Sequence, residues 1–217
     1  QYRNATSSTF RNGLNYCAFF ELEYGKILPE DMVQGCIEDI ITSLKNLIGS
    51  ELFKRFREDK LHLIAQRTLK FKFSGITINC TPDLIAFLKS APPIIVDWKV
   101  EHQGRGHWVQ LGLYGLALSR IKPHKDFSSE FVDVIRNPCN IEIIEFQLLD
   151  DHVHSYKLTE DDIVDLENYI YSSTTQMSRL LNSNKSSVIN PATLPTTNNS
   201  KLCMWCNFRM ICWRNAN

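Results

Sequence analysis

The sequence predicts an α/β domain built on a mixed central β-sheet, and three observations carry that prediction. A helical apolar period over residues 32–48 gives way to short β-branched runs between residues 64 and 100. Helical spacing returns over 108–121, and two more β-branched runs and an amphipathic helix follow. The first group of runs is punctuated by Gly75, Pro82, Pro92 and Pro93, which end strands rather than helices. That order of helices, strands, helix, strands and helix is the pattern of a sheet covered by helices.

Each element follows from local chemistry. Phe10, Leu14, Tyr16, Phe19, Phe20 and Tyr24 are spaced for a short helix ending near residue 26. Pro29-Glu30-Asp31 is a helix start, its acids meeting the positive end of the helix dipole. Val33, Ile37, Ile40, Ile41, Leu44 and Ile48 then share one stripe, and a shorter helix continues over 51–56. Strands are predicted at 64–73, 76–80, 84–88 and 94–100, and again at 141–149 and 153–158. Thr159 with Asp162 forms a capping-box pattern before a helix whose Ile163, Leu166, Ile170, Met177 and Leu181 share a face. The whole of 1–217 reads as a single domain. Its parts are an N-terminal segment (1–26), a core (27–182), a Ser/Asn/Thr/Pro-rich linker loop (183–200) and a Cys-bearing segment (201–217).

Composition excludes several classes. Hydrophobic residues make up 43% and charged residues 22%, ordinary for a globular chain and too apolar for a disordered one. No apolar run approaches the roughly 18 residues of a membrane helix, so no membrane partner is expected. The first residues lack the apolar centre of a signal peptide, and the missing initiator Met suggests a piece of a longer protein. Twenty-four basic and 24 acidic side chains give zero net charge. Phosphate binders usually carry a basic excess, yet an acidic centre ringed by basic groups sums to zero as well.

Residues 81–118 carry the chemistry. Asp97 and Lys99 stand two apart on a strand, so both face one side while Trp98 faces the other. Ile94-Ile95-Val96 before them reads as a buried central strand, where an unpaired charge is costly. Asp83 begins the preceding strand, close enough for its carboxylate to converge on that of Asp97. Converging carboxylates suit Mg²⁺ or Mn²⁺, which take hard oxygen ligands and complete their shell with water and phosphate. Such a cation acidifies a bound water, and a neighbouring Lys stabilises charge developing on the phosphorus. Gln110 and Tyr114, four apart on the next helix, share a face that can line the same cleft. Taken alone, Asp-x-Lys is more often a structural ion pair; the flanking Pro-Asp and Gln-x-x-x-Tyr patterns favour a site.

Pro82-Asp83, Asp97-Trp98-Lys99 and Gln110-Leu-Gly-Leu-Tyr114, in this order, resemble the motifs of the PD-(D/E)-x-K nucleases, and their RecB-like branch most of all. The resemblance implies a restriction-endonuclease-like core and a Mg²⁺- or Mn²⁺-dependent deoxyribonuclease. Asp83 and Asp97 would be metal ligands, Lys99 the catalytic lysine, and Gln110 and Tyr114 residues that support the site or touch DNA. The family ordinarily supplies one further ligand, a His shortly after a Gly on the first long helix. Here Gly35-Cys36-Ile37-Glu38-Asp39 offers no His, so Glu38, or else Asp39, takes that place or both are solvated helix charges.

Seven cysteines, an odd number in a chain of this size, do not form a disulfide framework and place the protein in a reducing compartment, cytoplasmic or nuclear. Cys203, Cys206 and Cys212 lie within ten positions of each other, a spacing for Zn²⁺ or an iron–sulfur cluster with a fourth ligand from elsewhere, for which Cys17 is the candidate. Ordinary or oxidised cysteines are the remaining alternative. One cysteine before the core and three after it resemble the iron–sulfur branch of RecB-like nucleases, including the AddB type and CRISPR-associated exonucleases. That likeness implies a [4Fe–4S] cluster clasping the two chain ends. Cys36, Cys80 and Cys139 are expected to be buried packing residues.

Basic residues are spread over several elements: Lys54, Arg55 and Arg57; Arg67, Lys70 and Lys72, alternating along a strand; and Arg209 and Arg214. Arg105 and His107, between the catalytic strand and the Gln helix, are the expected nucleic-acid contacts because their loop overhangs the site. The resulting expectation is exonucleolytic hydrolysis of single-stranded DNA ends, alone or within a repair, CRISPR or replication complex. Its alternative is a nucleic-acid-binding scaffold of the same fold with weak or no turnover.

Overall fold

The computed structural model describes residues 29–58, 61–87, 91–100, 107–121 and 135–183, together with 196, 199, 202, 203, 206 and 212. The chain forms two compact units, one comprising 1–36 with 176–217 and the other 37–175. The expected N-terminal helix and its Cys17 lie outside the described residues, as do Arg105, Arg209 and Arg214. Among the described residues, no helix is long and apolar enough to cross a membrane.

Helices α1 (Glu30–Gly49) and α2 (Glu51–Glu58) open the described chain. Ser50 caps α2: its hydroxyl accepts from the Phe53 N–H at 3.1 Å and donates to the Leu47 carbonyl at 2.8 Å. The apolar stripe of α1 stays exposed, Ile40 at 56% and Ile48 at 61%, whereas Ser43 is buried.

Seven strands follow among the described residues: β1 (His62–Ala65), β2 (Leu69–Phe73), β3 (Ile76–Cys80), β4 (Leu84–Phe87), β5 (Ile94–Lys99), β6 (Glu142–Gln147) and β7 (His152–Tyr156). Helix α3 (His107–Arg120) joins β5 to β6, and α4 (Glu160–Ser183) follows β7. The run expected as one strand over 64–73 is two strands in separate sheets. Gln66 turns to a positive φ of 46°, which no continuous strand tolerates, and Arg67 consequently stands outside the strand that carries Lys70 and Lys72. Ser74 and Gly75, at φ 48° and 81°, make the two-residue connection of the β2–β3 hairpin.

The main sheet runs β1-β4-β5-β6-β7. Its β5–β6 pair is parallel and the other three pairs are antiparallel, so the sheet is mixed as expected. A parallel pair needs a long crossover, and α3 supplies it. On one face Ile85, Phe87, Ile95 and Ile143 pack with Leu111, Leu116 and Leu118 of α3, Leu166 and Ile170 of α4, and the β2–β3 hairpin. The opposite face buries Ala86, Ile94, Val96, Ile144 and Phe146 against Leu52 and Phe56 of α2. With both faces covered, β5 is buried from Ile94 through Asp97, and this sets the cost of any charge placed on it.

Cys80 is buried in the first of these clusters, and burial pushes its thiol up to about 11. The other two expected packing cysteines differ: Cys36 is exposed on α1 and Cys139 is half-buried in a short turn. The Cys139 thiol meets the Glu160 carboxylate at 3.8 Å rather than the apolar core.

Candidate active site

The period of two along β5 sends Asp97 and Lys99 to the α3 side with Ile95, and Trp98 to the other, where its ring lies 6.0 Å from that of Phe146. Leu84 pairs with Val96, so one step further along the antiparallel ladder Asp83 arrives opposite Asp97. Asp83 Oδ2 accepts the main-chain N–H of Trp98 at 2.9 Å. Asp83 is thereby fixed to the backbone between the two charged residues of β5.

Lys99 Nζ lies 2.7 Å from Asp97 Oδ2 and donates to Gln110 Oε1 at 2.9 Å. The Gln110 amide nitrogen donates in turn to the Tyr114 hydroxyl at 2.6 Å and to Asp97 Oδ1 at 3.5 Å. Two acceptors for its NH₂ leave the Gln110 carbonyl facing the ammonium, so Tyr114 and Asp97 set the amide's orientation. The four side chains form one connected polar network at the end of a buried strand.

Its electrostatics are strained in an informative way. Asp97 is 3% exposed. Burial raises its carboxyl above the usual range; Lys99 opposes this, while the nearby carboxylates Asp83 and Glu145 add to it. The Lys99 ammonium, 2.7 Å from the buried Asp97 Oδ2, is the group that offsets this burial. Burial likewise raises the Tyr114 hydroxyl, with Gln110 opposing.

Four further residues bear on the set read from sequence. Glu38 is an exposed residue of α1. His107, expected to meet substrate, is the first residue of α3 and directs Nδ1 to Glu145 Oε1 at 3.1 Å. Glu145 and Gln147 are absent from the sequence-derived set, yet both are buried, at 1% and 3% exposure. Parallel pairing places Glu145 beside Asp97 and Gln147 beside Lys99. The available signal is an acid and an amide two apart inside the apolar run Ile143-Ile144-Glu145-Phe146-Gln147-Leu148, the same spacing as Asp-x-Lys. Burial pushes the Glu145 carboxyl up, but hydrogen bonds from Gln147 and His107, together with the His107 and His154 charges, hold it below the usual carboxylate range.

Asp83 and Asp97 offer hard carboxylate oxygens at adjacent strands, and Asp97 Oδ2, buried against the Lys99 ammonium at 2.7 Å, is an oxygen that a divalent cation could also engage. Mg²⁺ commonly relies on one or two carboxylates, with water and phosphate supplying the rest, and this pair meets that description. Among the described residues, no three His, Cys, Asp or Glu side chains converge to enclose a metal. Cys203 and Cys206, bridged by a Cys206 N–H to Cys203 carbonyl bond at 3.4 Å, and Cys212 are partly buried free thiols.

A family model described as the PD-(D/E)XK nuclease superfamily matches residues 25–213. A solved crystal structure, that of SSO0001, aligns with 90% of this chain and 79% of its own at 16% sequence identity and a TM-score of 0.36. No curated protein matches the chain.

Proposed function

The chain belongs to the PD-(D/E)XK nuclease superfamily, and from that premise we propose that it is a Mg²⁺- or Mn²⁺-dependent deoxyribonuclease acting on single-stranded DNA ends. The observation that carries this reading is the network at the end of β5: Asp97 held against Lys99, Lys99 held by Gln110, and Asp83 stitched alongside.

Asp83 and Asp97 would hold the cation, which when bound acidifies an attacking water and neutralises phosphate charge. The chain's own residues do the rest. Lys99 supplies a fixed positive charge for the phosphorus centre as its negative charge grows. Gln110 keeps that ammonium in place through its carbonyl, and Tyr114 keeps the Gln110 amide from turning. Because Asp97, Tyr114 and the Lys99 side chain are largely buried, their charges and dipoles act with less screening than at an open surface. Arg105, between β5 and α3 in sequence, is the proposed phosphate contact.

The RecB-like branch, the exonucleolytic mode and the four-cysteine [4Fe–4S] clasp of Cys17, Cys203, Cys206 and Cys212 belong to the same proposal, supported by motif order and by the spacing of three free thiols. So does a single nuclease domain spanning 1–217. Sample colour with iron, sulfide and zinc analysis decides the clasp: a brown protein with iron and sulfide supports it, and a colourless one holding zinc overturns it.

The decisive experiment incubates anaerobically purified protein with end-labelled single-stranded DNA and Mn²⁺. Wild type should shorten the label, and neither chelator-treated protein nor Asp97→Asn should. Absence of cleavage by wild type, or equal cleavage by Asp97→Asn, overturns the nuclease reading.

A further inference from the structure

Strand β6 repeats the chemical pattern of β5. Asp97 and Lys99 stand two apart on β5; Glu145 and Gln147 stand two apart on β6, in register beside them and on the same side of the sheet. Gln147 Nε2 donates to Glu145 Oε1 at 2.8 Å, as Lys99 reaches back to Asp97 on the neighbouring strand. Of the four buried polar residues among those described, three are Asp97, Glu145 and Gln147, so this patch concentrates the polarity of an otherwise apolar interior.

An ionised carboxylate at 1% exposure is a large expense for a fold that could place Ile or Val there. Glu145 is therefore better explained by what it holds. Its Oε1 accepts from Gln147 and contacts His107 Nδ1 at 3.1 Å, and the His107 side chain is itself only 15% exposed. His107 is the first residue of α3, so this contact fixes the point at which the crossover chain enters the helix. A carboxylate there also suits the positive end of the helix dipole. One turn on, and on the same side of the helix, Gln110 reaches Lys99 and Asp97.

We propose that Glu145 is a positioning residue of the active site: through His107 it locks the first turn of α3 onto β6, which keeps Gln110 in register with Asp97 and Lys99 on β5. The role rests on the nuclease reading for its effect on turnover, but the Glu145–His107 contact has its own physical signature. Groups that orient an active site from behind typically contribute about 10–100-fold to activity.

The test combines kinetics, spectroscopy and a double-mutant cycle on the full chain. Glu145→Gln keeps the shape and an acceptor oxygen but removes the charge. It should lower kcat for single-stranded DNA by about 10–100-fold with KM unchanged. His107→Asn should do the same, and the double variant should be no slower than either single one, since the two act as a unit. The His107 ring-nitrogen resonances in long-range ¹H–¹⁵N spectra should move in Glu145→Gln and stay put in a Tyr169→Ser control, whose side chain is exposed on α4. A His107 signal unaltered by Glu145→Gln overturns the positioning claim whatever the activity. So do multiplicative losses in the cycle, or a raised KM at unchanged kcat, which would make His107 a direct substrate contact. Should Glu145→Gln fail to fold, His107→Asn carries the kinetic prediction from the more accessible end of the pair. A wild-type protein that never cleaves, with the spectral coupling intact, instead overturns the nuclease reading.

Discussion

Trp98 gives its main-chain N–H to Asp83 Oδ2 at 2.9 Å, so one carboxylate is bonded to the backbone of the strand that carries the other. Asp83 is thus both a candidate cation ligand and a lateral tie between β4 and β5. The two roles separate by mutation. Asp83→Asn retains an oxygen acceptor for the Trp98 N–H and should fold normally while losing cleavage. Asp83→Ala strands that donor and should in addition unfold about 1–3 kcal/mol more easily. Urea denaturation of the two variants beside a cleavage assay checks this; equal stability of the pair would show that the tie contributes nothing.

Lys99 and Asp97 make a second separable case. Lys99→Met removes the charge that opposes the burial-raised carboxyl of Asp97. Breaking a buried pair by deleting one partner typically costs about 3–5 kcal/mol. The pH sign follows from the direction of the Asp97 shift. A carboxyl raised in the folded state favours folding in its protonated form, and that contribution is lost as pH rises through the folded value. The deficit of Lys99→Met relative to wild type should therefore shrink on acidification and be largest at neutral pH. Urea midpoints measured across the acidic range decide it, and a pH-independent deficit would count against a buried, ionised Asp97. Cleavage should fall by about 10²–10³-fold, the loss expected for one preorganised electrostatic group.

How far the sequence reaches depends on whether a feature is local. The Asp97-Trp98-Lys99 alternation, the Gln110–Tyr114 spacing and the Thr159–Asp162 cap are set within a few residues, and each is readable from the order of side chains. The break at Gln66 is not, because both flanking runs favour strand and the division rests on one residue taking a positive φ. Glu145 is legible as an odd acid in an apolar strand, but its place beside Asp97 depends on β6 returning parallel to β5, a tertiary choice made by the α3 crossover. The α1 stripe is the converse: the period predicts the helix well, while exposure of Ile40 and Ile48 shows that an apolar face does not say what it packs against. Neither Cys17 nor Arg105, two residues the site reading uses, falls among the described positions.

Close packing between α3 and α4 gives a third prediction. A Cβ added at Gly112 would lie 2.7 Å from Leu166 Cδ1 and 3.2 Å from Cδ2. Leu166 is fully buried, so its side chain has little room to turn aside. Helix propensity favours Ala over Gly by about 1 kcal/mol, but overpacking a tight interior costs about 1–3 kcal/mol. Gly112→Ala should therefore be neutral to destabilising by about 2 kcal/mol, and the combination with Leu166→Ala should be less damaging than the sum of the two changes. Additive losses in thermal or urea unfolding would mean that the two positions do not compete for space.

The start of α4 gives the last. Thr159 Oγ1 accepts the Asp162 N–H at 3.1 Å, while Asp162 Oδ2 accepts the Thr159 N–H at 2.9 Å and its hydroxyl at 2.6 Å. Both end groups of the helix are satisfied reciprocally, which is the capping box with Asp in the acidic place. Thr159→Ala removes two of these three bonds and should cost about 1 kcal/mol. The Thr159 hydrogen bonds hold the Asp162 carboxyl below the usual Asp range. A carboxyl depressed in the folded state contributes stability above its unfolded value and loses it as pH falls through the folded one. Wild type and Asp162→Ala should therefore differ at neutral pH and converge in acid, the opposite sense to the Lys99→Met comparison. Parallel pH series on the two variants measure both signs in one fold, and a gap for Asp162→Ala that persists below the ordinary Asp range would show that the carboxylate charge is not what closes the cap.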